Sequence, residues 1–129
     1  MNMQYIVLDT NFLVTSYKQK IDIFTNLKNL LEFKYQIYII DATLFELEKL
    51  INEGTIIEKT AVKIGLKLLK RKNIKILKTA RNRSVDDLLL ALDPRQYIIA
   101  TQDKELKRKL KKKKFKILTI RQKKHIILE

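Results

Sequence analysis

Residues 4–11 read QYIVLDTN, an apolar run that ends abruptly in an aspartate. An uninterrupted apolar strand is typical of a parallel sheet whose two faces are both buried. The Asp9 carboxylate would therefore emerge at the carboxyl-terminal edge of that sheet. The run YIIATQD at 97–103 repeats the arrangement and brings Asp103 to a second strand end. Together the two stretches predict an α/β fold with acidic groups along one sheet edge.

Short strand-like runs alternate with helical patterns along the rest of the chain. This alternation indicates βαβ units and a parallel sheet. The predicted strands are 4–8, 36–40, 74–78, 97–101 and 115–119, with a last apolar run at 126–128. The predicted helices are 11–17, 22–33, 42–52, 56–72, 85–92 and 103–113. Because the chain has 129 residues and 46% of them are hydrophobic, we expect one domain over 1–129.

The net charge of +14 is concentrated in the second half of the chain. Residues 1–60 hold 6 Lys/Arg against 8 Asp/Glu, whereas residues 61–129 hold 22 against 6. Such a basic half attracts nucleic acid or an anionic membrane surface; the alternative is a charged face that serves only solubility. No cysteine is present, which excludes disulfides and thiolate metal sites. No apolar run is long enough to cross a bilayer, so we expect a cytoplasmic protein without a membrane partner.

Acidic motifs lie where predicted strands pass into predicted helices. Each acid has a local explanation, because Ser, Thr and Asp are favoured at helix starts. By that reading, capping positions are Asp41, Ser84 with Asp87, Thr43 with Glu46, and Asp103. Collected at one edge, however, carboxylates repel unless a cation lies among them. The acids concerned are Asp9, Glu46, Asp86, Asp87 and Asp103.

An oxygen-only site of this kind selects a hard cation, Mg²⁺ or Mn²⁺. Such an ion can activate a water and neutralise a phosphodiester under attack. His125 is the sole histidine, so a paired-histidine ribonuclease is excluded, and we expect His125 to be a surface or structural residue. No stretch matches the Gly-rich phosphate loops. The residues therefore favour a metal-dependent enzyme acting on a polyanion.

The motifs VLDTNFLV, LFELEKL, SVDDLLL and IIATQDKELKRKL, in this order, resemble the PIN-domain family of metal-dependent ribonucleases. The likeness covers nearly the whole chain and is to the small archaeal and eukaryotic branch associated with ribosomal RNA processing. It implies a three-layer sandwich with a mostly parallel, five-stranded sheet and an active site at the carboxyl-terminal edge. The implied catalytic and metal-binding acids are Asp9, Glu46, Asp87 and Asp103, with Asp86 as an auxiliary ligand and Asn11 and Thr101 as supporting polar groups.

The resemblance implies a Mg²⁺- or Mn²⁺-dependent endoribonuclease acting on RNA, with a ribosomal RNA precursor as substrate and an assembly factor as a further partner. Two alternatives stay open. One is a toxin-type ribonuclease of a toxin–antitoxin pair, although Ala42 and Thr43 stand where such members often carry a proline. The other is a non-catalytic RNA-binding assembly factor whose acids are only helix caps.

Basic residues follow Asp103 directly, and the segment 104–116 contains nine Lys/Arg. Starting at the lip of an acidic pocket, they would hold the RNA backbone beside the cut. The candidate RNA-binding residues are Lys104, Lys107, Arg108, Lys111 and Lys112. A homodimer also stays open, because apolar stripes occur on two predicted helices and are otherwise core. These stripes contain Phe24, Leu27, Leu30 and Leu31 on one helix and Leu66 and Leu69 on the other.

Overall fold

A computed structural model describes residues 3–80 and 82–129 of the chain. Within them, six strands form one sheet in the order β3-β2-β1-β4-β5-β6. The strands are β1 (Gln4–Leu8), β2 (Tyr35–Ile40), β3 (Lys75–Leu77), β4 (Tyr97–Ala100), β5 (Ile117–Arg121) and β6 (His125–Leu128). The helices are α1 (Thr10–Lys18), α2 (Ile23–Leu30), α3 (Asp41–Glu53), α4 (Ile56–Arg71), α5 (Val85–Leu90) and α6 (Lys104–Lys112). The predicted α/β fold is confirmed.

The sheet has one strand more than the five expected. Strands β1 to β5 are parallel to their neighbours, whereas β6 is antiparallel to β5. The apolar run at 126–128 forms β6 because the chain reverses through Gln122 and Lys123, whose φ angles are 54° and 57°. Two successive residues with positive φ are typical of the tight turns that join hairpin strands.

The strands bury both faces, as their unbroken apolar runs predicted. Alternate side chains such as Ile6, Ile37 and Ile98 pack against α1 to α4 on one face. The intervening side chains, such as Val7 and Ile99, pack against α5 and α6 on the other face. Successive residues of a strand point to opposite faces, so one apolar strand serves two cores. The result is the three-layer sandwich.

Most of the apolar residues considered for a homodimer lie inside the protein. Leu27, Leu31 and Leu69 belong to the buried core, and Phe24 and Leu66 pack partly buried against it. Among the described residues of the two stripes, Leu30 is the one that counts as exposed. His125 is exposed, in agreement with the prediction that it is a surface residue. No helix in the described ranges is long and apolar enough to span a membrane.

The strand order places a crevice between β1 and β4. The chain runs outward from β1 to β2 and β3, then returns to the other side of β1 for β4 and β5. In open α/β sheets, ligands bind at the carboxyl ends of the strands where the order reverses in this way. Asp9 follows β1 and Thr101 follows β4, so both lie at this crevice.

Candidate active site

Asp9 is held at the end of β1 by its neighbours on β4. Its backbone N–H donates to Ala100 O at 2.9 Å, which extends the β1–β4 pairing by one residue. The Thr101 hydroxyl donates to Asp9 Oδ2 at 2.7 Å, and Thr10 N donates to Oδ1 at 2.9 Å. Only 3% of Asp9 is exposed. The carboxylate therefore has a fixed orientation in a nearly dry position.

Asn11 ties the two strand ends together from the first turn of α1. Its Oδ1 accepts from Gln102 N at 2.9 Å and lies 3.3 Å from the Thr101 hydroxyl. The Thr101 oxygen also accepts from Asp103 N at 3.2 Å. Asn11 and Thr101 thus orient the acids at the crevice, as supporting polar groups would.

Asp103 is the N-cap of α6. Its Oδ1 accepts from Glu105 N at 2.9 Å and from Leu106 N at 3.1 Å. The predicted capping role is therefore confirmed. Over residues 3–80 and 82–129, Oδ2 takes no protein hydrogen bond, so one carboxylate oxygen stays available to a ligand.

Glu46 reaches the crevice from α3. The Thr10 hydroxyl donates to Glu46 Oε1 at 2.6 Å, which joins α3 to the start of α1. The predicted capping pair of Thr43 with Glu46 is wrong, because Thr43 is buried inside the helix and its hydroxyl has no partner in the described part of the chain. Glu46 is exposed at the rim rather than used as a cap.

Asp41 does not cap α3 either. The N-cap is Ile40, without a side-chain hydrogen bond, and Asp41 is the first residue of the helix. Its carboxylate instead accepts from the backbone N–H of Thr79 at 3.1 Å and from the Thr79 hydroxyl. These hydrogen bonds lower the pKa of Asp41. Asp41 therefore fastens the segment that leads from β3 to α5.

Helix α5 separates the roles of two adjacent aspartates. Ser84 is its N-cap and accepts from Asp87 N at 3.1 Å, so the predicted Ser84 cap is confirmed. Asp86 is half-buried and lines the same cleft as Asp9. Asp87 is exposed and lies outside that lining. One residue turns a helix by about 100°, which is why only one of the two faces the crevice.

The acids share a cleft of about 370 Å³. Its lining also contains Glu58, which the sequence analysis missed. Glu58 forms a capping box with Thr55 at the start of α4, and its Oε2 lies 3.8 Å from Lys18 Nζ. The Thr-x-x-Glu spacing was visible in the sequence, but it indicated only a helix start. The acidic residues that line the cleft are Asp9, Glu46, Glu58, Asp86 and Asp103.

Burial and mutual repulsion disfavour charge at the centre of the cleft. Burial raises the pKa of Asp9 to about 6, opposed by the hydrogen bonds from Thr101 and Thr10, while Asp86 and Glu46 add to the rise. Burial also raises the pKa of Asp86, with a further contribution from Asp103. A bound cation would remove this repulsion. In the described ranges, no three acidic or histidine side chains are close enough together to hold a metal ion as they stand.

The predicted RNA-binding residues divide into free and engaged side chains. Lys107 Nζ donates to the Thr119 hydroxyl at 2.6 Å, and burial lowers the pKa of Lys107. Arg108 forms an ion pair with Glu105, and Lys111 Nζ lies 3.1 Å from Glu129 Oε2. Lys104 and Lys112 are exposed, without an ion pair to any residue that the structure describes. These two lysines are the free cations of the predicted set.

Sequence and structure comparisons identify the family of the chain. The family described as PIN like domain matches residues 6–123, which is most of the chain. This chain belongs to the PIN-like domain family. The PIN domain is 35% identical over 124 residues to Ribonuclease VapC4 of Methanocaldococcus jannaschii, covering 95% of both chains. The predicted family is therefore confirmed.

Further relatives of this PIN domain are named for ribosomal RNA processing. It is 31% identical over 111 residues to the rRNA-processing protein fcf1 of Schizosaccharomyces pombe, covering 84% of this chain and 54% of that protein. The chain thus spans about half the length of that relative. A solved structure of the PIN domain endonuclease Utp24 superposes with a TM-score of 0.78 at 30% identity, covering 97% of this chain and 90% of that chain. The PIN domain is thus related to both ribonucleases and rRNA-processing proteins.

Proposed function

We propose that this PIN domain is a divalent-metal-dependent endoribonuclease that hydrolyses phosphodiester bonds of RNA. The observation that carries the proposal is the convergence of acids from separate elements on one cleft at the β1–β4 crevice. The proposed catalytic acids are Asp9, Glu46, Asp86 and Asp103. Asp86 takes the place that the sequence motif gave to Asp87, because Asp86 lines the cleft and Asp87 does not.

The donor set supports Mg²⁺ or Mn²⁺ as the cofactor. The charged side chains that line the cleft are all carboxylates, and oxygen ligands suit hard cations. Mg²⁺ usually keeps several waters and binds through one or two carboxylates, so an open arrangement suits it better than a closed cage would. Asp9 and Asp86 are the residues that would hold the ion, since both are half-buried or buried and charge is disfavoured on both without a cation. When bound, the ion supplies an activated water and neutralises charge on the phosphodiester.

The protein's own groups orient the acids. Thr101 and Thr10 fix both oxygens of Asp9, so the carboxylate does not need to reorganise when RNA arrives. Asp103 uses one oxygen as a helix cap and keeps the other for the site. Pre-set polar groups of this kind are the main source of stabilisation in active sites.

RNA as substrate is supported by the basic half of the chain and by the names of the relatives. Lys104 starts α6 directly after Asp103, and Lys112 ends it. Lys104 would contact phosphates beside the cleft, and Lys112 would contact phosphates about 12 Å further along the helix. The similarity to fcf1, which is named as an rRNA-processing protein, supports a ribosomal RNA precursor as substrate, and the similarity to Utp24 supports endonuclease activity. The second candidate is a toxin-type ribonuclease, and the 35% identity to Ribonuclease VapC4 over almost all of both chains supports the ribonuclease activity that both candidates share.

The test is cleavage of a ribosomal RNA precursor transcript by the purified protein, with Mg²⁺ or Mn²⁺ and with EDTA. We expect metal-dependent cleavage that Glu46→Gln lowers roughly 100-fold or more, since such sites supply several kcal/mol of charge stabilisation. Glu48→Gln is the matched control, because Glu48 is exposed on the same helix outside the acidic cleft. Equal activity of both variants, or cleavage that survives EDTA, would overturn the proposal.

A second pair of variants tests the choice between adjacent aspartates. We expect Asp86→Asn to lose cleavage and Asp87→Asn to retain most of it. The reverse result would restore the motif-based assignment of Asp87.

RNA binding without any metal-dependent product would favour the non-catalytic assembly factor. Growth arrest on expression, relieved by a co-encoded small protein, would favour the toxin.

A further inference from the structure

An apolar groove of about 700 Å³ lies away from the acidic cleft, between helix α4 and the segment that joins α1 to α2. Three isoleucines of α4 line it with unusually high exposure: Ile56 is 83% exposed, Ile57 70% and Ile64 55%. In a chain with 33% charged residues, a contiguous exposed apolar surface of this kind marks an interaction site.

The exposed isoleucines are not needed to pack α4 onto the protein. The core side of the helix is formed by Val62, Gly65 and Leu69, which are buried. Gly65 lets the Tyr17 ring lie against the helix, since a Cβ at that position would be 1.7 Å from the ring. Ile57 and Ile64 therefore belong to a second stripe, outside the core.

This second stripe runs along the helix. It consists of Ile57, Ala61, Ile64 and Leu68, spaced by four, three and four residues, and all four line the groove. Ile57 and Ile64 are its exposed members, whereas Ala61 is buried and Leu68 is half-buried, so these two form the floor. Side chains at this spacing lie above one another on one helix face. The stripe begins at the start of α4 and extends over about 11 residues, or roughly 16 Å at 1.5 Å per residue. That length suits about three turns of a partner helix.

The charges at the rim indicate what occupies the groove. Lys18, Lys20 and Lys72 line it, against one carboxylate, Asp22. Asp22 is already engaged as the N-cap of α2, where it accepts from the backbone N–H and the hydroxyl of Thr25. Lys18 Nζ lies 3.8 Å from Glu58 Oε2, so the surplus of positive charge around the apolar floor comes from Lys20 and Lys72.

Two other occupants fit less well. A second copy of the chain would place its own rim lysines against these lysines. Because each copy has a net charge of +14, the two copies would repel each other, which lowers affinity. RNA binds apolar surface mainly by stacking bases on exposed aromatic rings. The aromatic rings at the groove are Phe24 and Tyr17; both are partly buried, and Lys72 Nζ lies 5.5 Å from the Phe24 ring centroid.

We propose that this groove docks an amphipathic helical segment of a partner protein, with an apolar ridge against the Ile57–Ile64 stripe and acidic residues facing the rim lysines. Helix-in-groove recognition uses apolar anchors at this spacing. Charge complementarity at the rim sets partner choice and association rate. The proposal does not depend on the nuclease assignment, since the groove and the acidic cleft share none of their lining residues.

The test is a selection of displayed helical peptides on the wild-type protein. The library randomises apolar anchors at positions i, i+3, i+4 and i+7, in one version with Glu and in another with Lys at the flanking positions. We expect at least tenfold greater enrichment of the Glu version. Binding of an enriched peptide should fall at least tenfold with Ile57→Ser or Ile64→Ser. Ile76→Ser is the matched control, because Ile76 is 47% exposed on β3, outside the groove.

A charge reversal tests the rim separately. The double variant Lys20→Glu, Lys72→Glu should shift enrichment towards the Lys version of the library. Circular dichroism establishes that each variant is folded. Enrichment of neither version, or of both equally, would overturn the proposal. Two other results would also overturn it. A wild-type dimer in sedimentation velocity that Ile57→Ser dissociates would assign the groove to a second copy. Binding of wild type to phosphatidylserine vesicles that Ile57→Ser abolishes would assign it to a membrane surface. Because peptide binding is read directly, absence of RNA cleavage leaves this result unaffected.

Discussion

Asp9→Asn should make the metal-free protein more stable while it removes nuclease activity. Asp9 is 3% exposed and lies in a cleft with other carboxylates. An asparagine at this position keeps an oxygen that accepts from Thr10 N and offers an N–H₂ group that donates to the Thr101 oxygen, which can then donate to Asn11. The substitution therefore removes the buried charge and leaves the hydrogen bonds around it in place.

The size of the effect follows from the pKa of Asp9. Burial raises it from 3.8 to about 6. A group whose pKa is raised by folding stabilises the folded state below its unfolded pKa and loses that contribution as pH rises through the folded pKa. At pH 7.5 a shift of about 2 units corresponds to an upper value of about 3 kcal/mol. For a chain of this length that is an increase of roughly 10 °C in Tm.

The measurement is urea unfolding of wild type and Asp9→Asn in EDTA at pH 7.5 and at pH 4. We expect the difference in unfolding free energy to be large at pH 7.5 and to shrink towards zero at pH 4, where wild-type Asp9 is protonated. Glu48→Gln, an exposed change on α3, should differ from wild type by less than about 0.5 kcal/mol at both pH values. If Asp9→Asn were less stable than wild type at pH 7.5, the Asp9 carboxylate would be stabilising as charged, and the reasoning would fail.

Three further outcomes can be checked. Millimolar Mg²⁺ or Mn²⁺ should raise the unfolding free energy of wild type by RT ln(1 + [M]/Kd), and with it the Tm, whereas neither quantity should rise in Asp9→Asn; an equal rise of Tm in both would place the ion elsewhere. Gly65→Ala should cost about 1–3 kcal/mol in urea unfolding, because the new Cβ would lie 1.7 Å from the Tyr17 ring; an unchanged midpoint would show that the ring moves freely. Lys104→Ala and Lys112→Ala should each reduce the slope of log K against log salt for RNA binding by about 1, and an unchanged slope would remove that lysine from the interface.

The fold could be predicted from the sequence because its main signal is strong and local. Apolar runs such as YIVL and YIIA are too short for helices and too apolar for solvent-facing strands. Strand β6 was missed for the opposite reason. Its turn contains Gln122 and Lys123 instead of the glycine or asparagine that usually marks positive φ, so no residue at this point of the chain indicated a hairpin.

The site was predicted less completely, because its details depend on packing. The motif identified a pair of acids, but the rotation of α5 about its axis decides that Asp86 faces the cleft. That rotation is fixed because Leu88 and Leu89 of the same helix pack into the core. Glu58 enters the lining only because α4 starts beside the crevice. Lys107 forms a hydrogen bond with Thr119, which lies on another element of the fold. Sequence spacing records none of these orientations.

The hydrogen bond from Thr101 to Asp9 spans 92 positions of the chain. During synthesis the amino-terminal part of a protein emerges first, so Asp9 leaves the ribosome long before the strand that anchors it. Until β4 has been made and inserted beside β1, that carboxylate has no partner on β4. The acidic crevice is thus among the last parts of the molecule to be assembled, and a nascent chain presents no completed acidic cleft to the RNA around it.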